Sequence, residues 1–264
     1  LGADVRRSLL VPVVCMQTIA ANLGSMLTPI GNPQNLYLYG KSGMSIGGFV
    51  LLMLPYTLVS LLLLLAWAAL VCRKASAALS VDELVSSSAS QGDQKIILLY
   101  LVLFAVCLLS VIRVLPYGIA FAAVLVCALF ADPHTLQAVD YSLLLTFVAF
   151  FIFIGNLGRI PAFSGWLQEF LTGREVLVAV LASQVTSNVP AALLLSGFTA
   201  ETQALIIGTN LGGLGTLIAS MASLISYRQI ARELPQGKKQ YFGLFTLSNL
   251  IFLAILLGVW YLLR

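Results

Sequence analysis

Between Ala21 and Tyr39 the sequence reads ANLGSMLTPIGNPQNLYLY, with three Asn, a Gln, two Gly and two Pro set between long apolar runs. Side-chain carboxamides and hydroxyls offer neutral oxygens to a cation and N–H or O–H donors to an anion. A continuous helix uses its own amides and carbonyls internally. A break at membrane depth frees carbonyls for a cation and aims the positive N-terminus of a half-helix at an anion. Pro29 and Pro33 enforce such a break, and Gly24 and Gly31 permit it. Asn22, Thr28, Asn32 and Asn35 are the candidate ligands in this stretch. Two later stretches have the same character. One is Ser187-Asn188-Val189-Pro190; the other, GTNLGGLGTLIAS, carries Thr209, Asn210, Gly212, Gly213, Gly215 and Thr216. Close helix packing through small residues is the competing explanation for GTNLGGLGTLIAS. It is weaker for GNPQN, because packing needs no two prolines.

Such residues need a scaffold, and composition names its class. Of the 264 residues 60% are hydrophobic and 9% charged, with mean hydropathy +1.01. A soluble domain is about 45–50% apolar and about 25% charged. The chain is therefore expected to be an all-α polytopic membrane protein. The net charge of +4 includes no basic tract, so no nucleic-acid partner is expected. Cys15, Cys72, Cys107 and Cys127 fit no metal or redox spacing and read as small buried hydrophobes, and His134 as a solvated loop residue. LGADVRRSLL resembles neither a signal nor a transit peptide.

Candidate spans are Ile46–Cys72, Ile96–Ile112, Val114–Phe130, Tyr141–Leu157, Gln203–Tyr227 and Tyr241–Leu263, with another from about Leu9 to Tyr39. The expected organisation follows. Residues 1–45 hold the first broken helix and residues 46–72 a transmembrane helix. Residues 73–95 form a cytoplasmic loop with an interfacial helix, and residues 96–160 further transmembrane helices. Residues 161–227 hold an interfacial segment, a re-entrant hairpin and the second broken helix. Residues 228–239 are a cytoplasmic loop and residues 240–264 the last transmembrane helix. With Arg228–Lys239 inside, nine Lys and Arg fall inside and five outside, as the positive-inside rule requires. This bias holds only if Glu175–Gly197 enters and leaves on the outer side as a hairpin with its tip at Ser187–Pro190. Non-helical backbone there implies a cavity.

Asn22-Leu23-Gly24, Thr28 and Ile30 recur 188 residues later as Asn210-Leu211-Gly212, Thr216 and Ile218. In the orientation above the two copies cross in opposite directions, which marks an inverted-repeat transporter. The same offset puts a partner hairpin just before Leu1, so the chain is expected to lack an N-terminal part of the first repeat. All ten Asp and Glu lie in loops or near segment ends, which gives no support to a carboxylate proton relay within these spans. No intramembrane nucleophile, acid–base or metal constellation and no phosphate-binding loop is found, so an enzyme or a self-powered pump is not expected. Asn156 reads equally as a pathway residue or a helix cap, and Arg159 as an interfacial cation.

ANLGSMLTPIGNPQN, SQVTSNVPAALLLSGFT and GTNLGGLGTLIASMASLIS together resemble the ion transporter superfamily. It comprises citrate carriers, divalent-anion:sodium symporters, arsenite permeases and related sodium/proton antiporters, and the resemblance is nearest to the citrate-transporter-like and anion-permease-like proteins. It implies a scaffold domain and a transport domain, often in a homodimer in the inner (plasma) membrane. By that resemblance Ser187 and Asn188 fall on the hairpin tip, and Asn210, Gly212, Gly213 and Thr216 on the second break. Asn22, Gly24, Thr28, Gly31, Asn32 and Asn35 fall on the first, with Na⁺ at Ser187, Asn188 and Gly212. Val189-Pro190 departs from the further hydroxyl residue of dicarboxylate symporters. The function implied is transport of a small anion coupled to Na⁺ or H⁺, with no other cofactor. A sodium/proton antiporter and a non-transporting membrane subunit are the alternatives.

Overall fold

The computed structural model describes residues 2–75 and 94–264, and every regular element among them is helical. The described chain divides into two units, Leu1–Leu79 with Phe150–Arg264, and Ser80–Ala149.

In the larger unit α1 (Gly2–Gly24) ends at the Asn22-Leu23-Gly24 motif, and a 3-10 turn, Ser25–Leu27, follows. Thr28 is extended, and the chain restarts as α2 (Pro33–Ser42). Local chemistry accounts for the restart. Asn32 caps the new helix by accepting the N–H of Asn35, and Pro33 sits at the first helical position, where a missing N–H costs nothing. Gly43, at φ 69°, ends α2 in the left-handed conformation that glycine adopts without strain. Next comes α3 (Ile46–Ala75), whose 30 residues include Pro55 without interruption.

The unit resumes at Phe150, within α7 (Tyr141–Leu157). It continues through α8 (Pro161–Leu171), α9 (Glu175–Thr186) and α10 (Asn188–Leu195). The last elements are α11 (Thr202–Leu211), α12 (Met221–Glu233) and α13 (Lys238–Leu263). Val11 and Cys15 of α1, Ile230 of α12, and Tyr241 and Phe245 of α13 form one buried cluster that clamps these helices together.

The smaller unit holds α4 (Gln94–Val111), α5 (Tyr117–Ala131), α6 (Pro133–Gln137) and the start of α7. Asp132 caps α6 and accepts from the Tyr100 hydroxyl at 2.8 Å, tying α4 to the α5–α6 turn. Leu98, Leu101, Phe104, Phe121 and Phe130 are exposed, as helices facing hydrocarbon require.

Helices coincide to within a few residues with Ile46–Cys72, Ile96–Ile112, Val114–Phe130, Tyr141–Leu157 and Tyr241–Leu263. Gln203–Tyr227 is interrupted where the second broken helix was expected, with α11 ending at Leu211 and α12 starting at Met221. Gly212, Gly213 and Gly215 follow Leu211, and Gly215, at φ 109°, adopts a backbone that other residues resist. Four described helices are long and apolar enough to cross a bilayer: Leu10–Leu27, Ile46–Val71, Gln94–Val111 and Pro235–Leu263. α5, with 15 residues, reaches about 22 Å, short of a full crossing of about 30 Å. The interfacial helix expected in residues 73–95 lies largely outside the described residues.

Candidate functional site

The two breaks meet, and they meet crosswise. Asn22, near the end of α1, donates from Nδ2 to Ser220 Oγ at 2.9 Å and Ser223 Oγ at 3.3 Å, at the start of α12. Asn210, near the end of α11, donates from Nδ2 to Asn35 Oδ1 at 2.5 Å and accepts from Asn32 Nδ2 at 3.1 Å, at the start of α2. Asn32 and Asn35 stand 188 residues before Ser220 and Ser223, the offset that separates Asn22 from Asn210. Ser220 also caps its helix as Asn32 does, accepting the N–H of Ser223 three residues on. Each repeat's pre-break asparagine therefore contacts the cap and third residue of the other repeat's second half-helix.

This exchange sets direction as well as contact. Thr18, four residues before Asn22, donates to Ser226 Oγ at 2.7 Å, six residues after Ser220. The α1–α12 seam is thus antiparallel, so the chain approaches the first break along the line on which it leaves the second. The two broken segments consequently run in opposite senses, as the repeat predicted.

Around this crossing the first break is laced internally. Asn35 Nδ2 donates to the Met26 and Thr28 carbonyls at 3.4 and 3.3 Å, so Thr28 contributes a backbone oxygen. Asn32 Nδ2 also reaches Ser25 Oγ at 3.2 Å, and Ser25 Oγ donates to the Asn22 carbonyl at 2.8 Å. Gly31 lies against the Ser25 backbone, where a Cβ would come within 2.6 Å of the Ser25 carbonyl carbon. Gly24 differs from the expectation that it permits the break. It is right-handed, at φ −68° and ψ −35°, and a Cβ there meets nothing within 4 Å. The chain departs from the helix after it.

The α9–α10 pair brings the third stretch to the same place. Gly208 packs on Val176 and Ala179, and Gly212 on Ser183, so α9 and α11 run side by side in the same direction. Ser187, the single residue between α9 and α10, has φ 74° and ψ 154°, a region essentially reserved for glycine. Its Oγ donates to the Ala219 carbonyl at 3.4 Å, in the second break. Asn188, nearly buried, lays Nδ2 over Gly213, 3.0 Å from where a Cβ would stand. At the far end of α10 the Tyr37 hydroxyl meets Ser196 Oγ at 2.9 Å and Lys41 Nζ donates to the Ser196 carbonyl, which fastens α10 to α2.

All three candidate stretches thus converge, with the N-termini of α2, α10 and α12 among them. Three participants escaped notice in the sequence. Ser220 and Ser223 lie past the recurring motif, and only the 188-residue offset applied to Asn32 and Asn35 points to them. Gln184 sits inside an apolar helix, and its Oε1 accepts the Thr216 N–H at 2.8 Å while its Nε2 donates to the Gly212 carbonyl at 3.0 Å. Thr216 Oγ1 donates back to the Gln184 carbonyl at 3.2 Å. Asn156 lies outside this network: it is exposed and its Nδ2 donates to Ile152 O of its own helix at 2.9 Å.

The strain at Ser187 yields a test. A non-glycine residue there costs about 1–3 kcal/mol, against less than about 1 kcal/mol of extra entropy lost by glycine. Ser187→Gly is expected to raise the thermal stability of the detergent-solubilised protein by about 1 kcal/mol. Ser187→Ala keeps the strain and gives no such gain. Differential scanning fluorimetry on both variants checks it.

A polytopic helical scaffold whose two inverted halves cross at polar breaks defines a transporter architecture. Comparison with known sequences names the family: the citrate transporter family model matches residues 3–205, and the chain belongs to that family. The match covers the first break and the α9–α10 pair and stops before Asn210. The chain is 34% identical over 224 residues to "Inner membrane protein YbiR" of Escherichia coli (strain K12), covering 82% of this chain and 58% of that protein. It is 32% identical over 216 residues to "Uncharacterized transporter MJ0456" of Methanocaldococcus jannaschii, covering 82% of this chain and 57% of that protein. The chain therefore spans less than two thirds of the length of these curated relatives. No solved structure matches it.

Proposed function

We propose that this protein is a secondary active transporter that moves a small anion, a carboxylate or an oxyanion, across the cell's inner membrane by alternating access, coupled to Na⁺ or H⁺. The observation that carries the proposal is the crossed contact of the two breaks, Asn22 with Ser220 and Ser223, and Asn210 with Asn32 and Asn35. Amide donors and the positive ends of α2, α10 and α12 suit an anion, and the freed carbonyls suit a cation. The α9–α10 pair serves as a re-entrant hairpin entering from the outer side. It moves with the two broken helices, α1–α2 and α11–α12, against the remaining helices, in a homodimer. The family name and the word transporter in a relative's name support the class, and the substrate follows only from the chemistry of the site.

Purified protein in proteoliposomes tests this. Uptake of labelled citrate, smaller carboxylates and oxyanions is measured with and without inward Na⁺ and H⁺ gradients. Gradient-driven uptake of at least one anion is expected. Sodium–proton exchange with no anion flux would instead identify an antiporter.

A further inference from the structure

We propose that the amide of Gln184 holds the position that a coupling cation would take at the second break, so that this break is held to the hairpin by a side chain and not by a sodium ion. This rests on the transporter reading above and specifies its coupling.

Nε2 of Gln184 faces three backbone oxygens: Leu214 O at 2.8 Å, Gly212 O at 3.0 Å and Val180 O at 3.2 Å. Gly212 and Leu214 belong to the unwound segment whose freed carbonyls a coupling cation would take, and Val180 belongs to the hairpin arm. One primary amide has two N–H groups, and three carbonyls around it satisfy both. The other end of the same group is also engaged, because Oε1 accepts the Thr216 N–H at 2.8 Å. The amide thus supplies a positive hydrogen pair toward the carbonyls and a negative oxygen toward the N–H. A spherical cation could do only the first.

The backbone is shaped around this side chain. Gly215, at φ 109°, brings the chain so close to Gln184 that a Cβ would fall 2.9 Å from its Cδ. The segment from Gly212 to Thr216 therefore wraps the glutamine head, and a sodium ion and the amide cannot share the carbonyls. Because the amide is neutral, the positive N-terminus of α12 keeps its full pull on an anion. The sodium position expected at Gly212 is thereby assigned to Gln184, and this break contributes no sodium requirement to transport.

Thermal unfolding in detergent tests the inference without relying on transport, so its failure is separable from failure of the transporter reading. The midpoint is measured at pH 8 in NaCl and in equimolar choline chloride for the wild type, Gln184→Glu and Gln184→Ser. Gln184→Glu turns a carboxylate toward the same carbonyls and creates a demand for a cation. Gln184→Ser clears the position and leaves a hydroxyl oxygen. Each variant is expected to gain a sodium-specific rise of about 3 °C or more over any rise in the wild type. The inference is overturned if neither folded variant gains one, or if the wild type matches them, since sodium would then bind with the glutamine in place. If neither variant folds, hydrogen exchange at the wild-type Thr216 amide decides. Protection unchanged by NaCl supports the amide's tenure, and sodium-dependent loss of protection overturns it.

Discussion

Asn210→Ala is expected to lower anion uptake at least about 20-fold and to cost about 1–3 kcal/mol of stability, with insertion into the membrane retained. The reason is that Asn210 is the point at which the second break holds the first. Its side chain, 4% exposed, contacts Asn35, which is fully buried, and Asn32, the cap of α2. Truncation strands the Asn35 oxygen in a site from which water is excluded, and an orphaned buried acceptor costs more than the net worth of the bond. Intramembrane hydrogen bonds average only about 0.6 kcal/mol, so stability alone is a weak discriminator. Transport is sharper, because the same amide positions the N-terminus of α2 at the crossing. Proteoliposome flux beside thermal unfolding separates the two effects. Asn156→Ala serves as the control, since that amide is exposed and satisfied within its own helix, and flux should be unchanged. A double-mutant cycle between Asn35 and Asn210 should give a coupling of about 1 kcal/mol. Wild-type flux in Asn210→Ala would remove the crossing from the mechanism.

The second large effect is steric. Gly31→Ala places a methyl against the backbone of Ser25, 2.6 Å from its carbonyl carbon and 2.9 Å from its Cα. Overpacking against a side chain costs about 1–3 kcal/mol because the side chain can turn aside. A backbone obstacle offers no such escape. Gly31 also donates its N–H to Thr28 O at 3.2 Å, so moving it loosens the turn that leads to the Asn32 cap. The expected cost is more than about 3 kcal/mol, seen as a large fall in folded yield and in unfolding temperature. Gly24→Ala, seven residues away in open space, should be within about 0.5 kcal/mol of wild type or slightly stabilising, because alanine suits a helix better than glycine. Equal effects of the two substitutions would show that Gly31 has no special place in the break.

The contrast between these glycines marks the boundary of what could be read without coordinates. Both stand in a stretch rich in glycine and proline, and both were expected to open the helix. Where a helix stops is largely a local matter. Pro29, Pro33 and the Asn32 cap act on their own backbone, so the break in residues 21–39 was legible, as were the tip at Ser187 and Asn188 and the second break after Asn210. Which glycine is indispensable depends on what lies opposite. Gly31 faces Ser25, Gly208 faces Val176 and Ala179, and Gly24 faces nothing within 4 Å.

By itself the sequence determined an all-helical membrane scaffold, the positions at which its helices are interrupted, and a repeat at an offset of 188 residues. Apolar content, proline and glycine chemistry and internal recurrence are properties of the chain taken in order. Only the tertiary structure decided that Asn22 pairs with Ser220 and Ser223 while Asn210 pairs with Asn32 and Asn35, and that Gln184 takes the Gly212 and Leu214 carbonyls. Those pairings join residues 28 to 201 positions apart, and they follow from the packing of α1 on α12, of α2 on α11 and of α9 on α11. Packing of that kind leaves no local mark, because an amide inside a helix looks the same in the chain whether it faces a carbonyl or water.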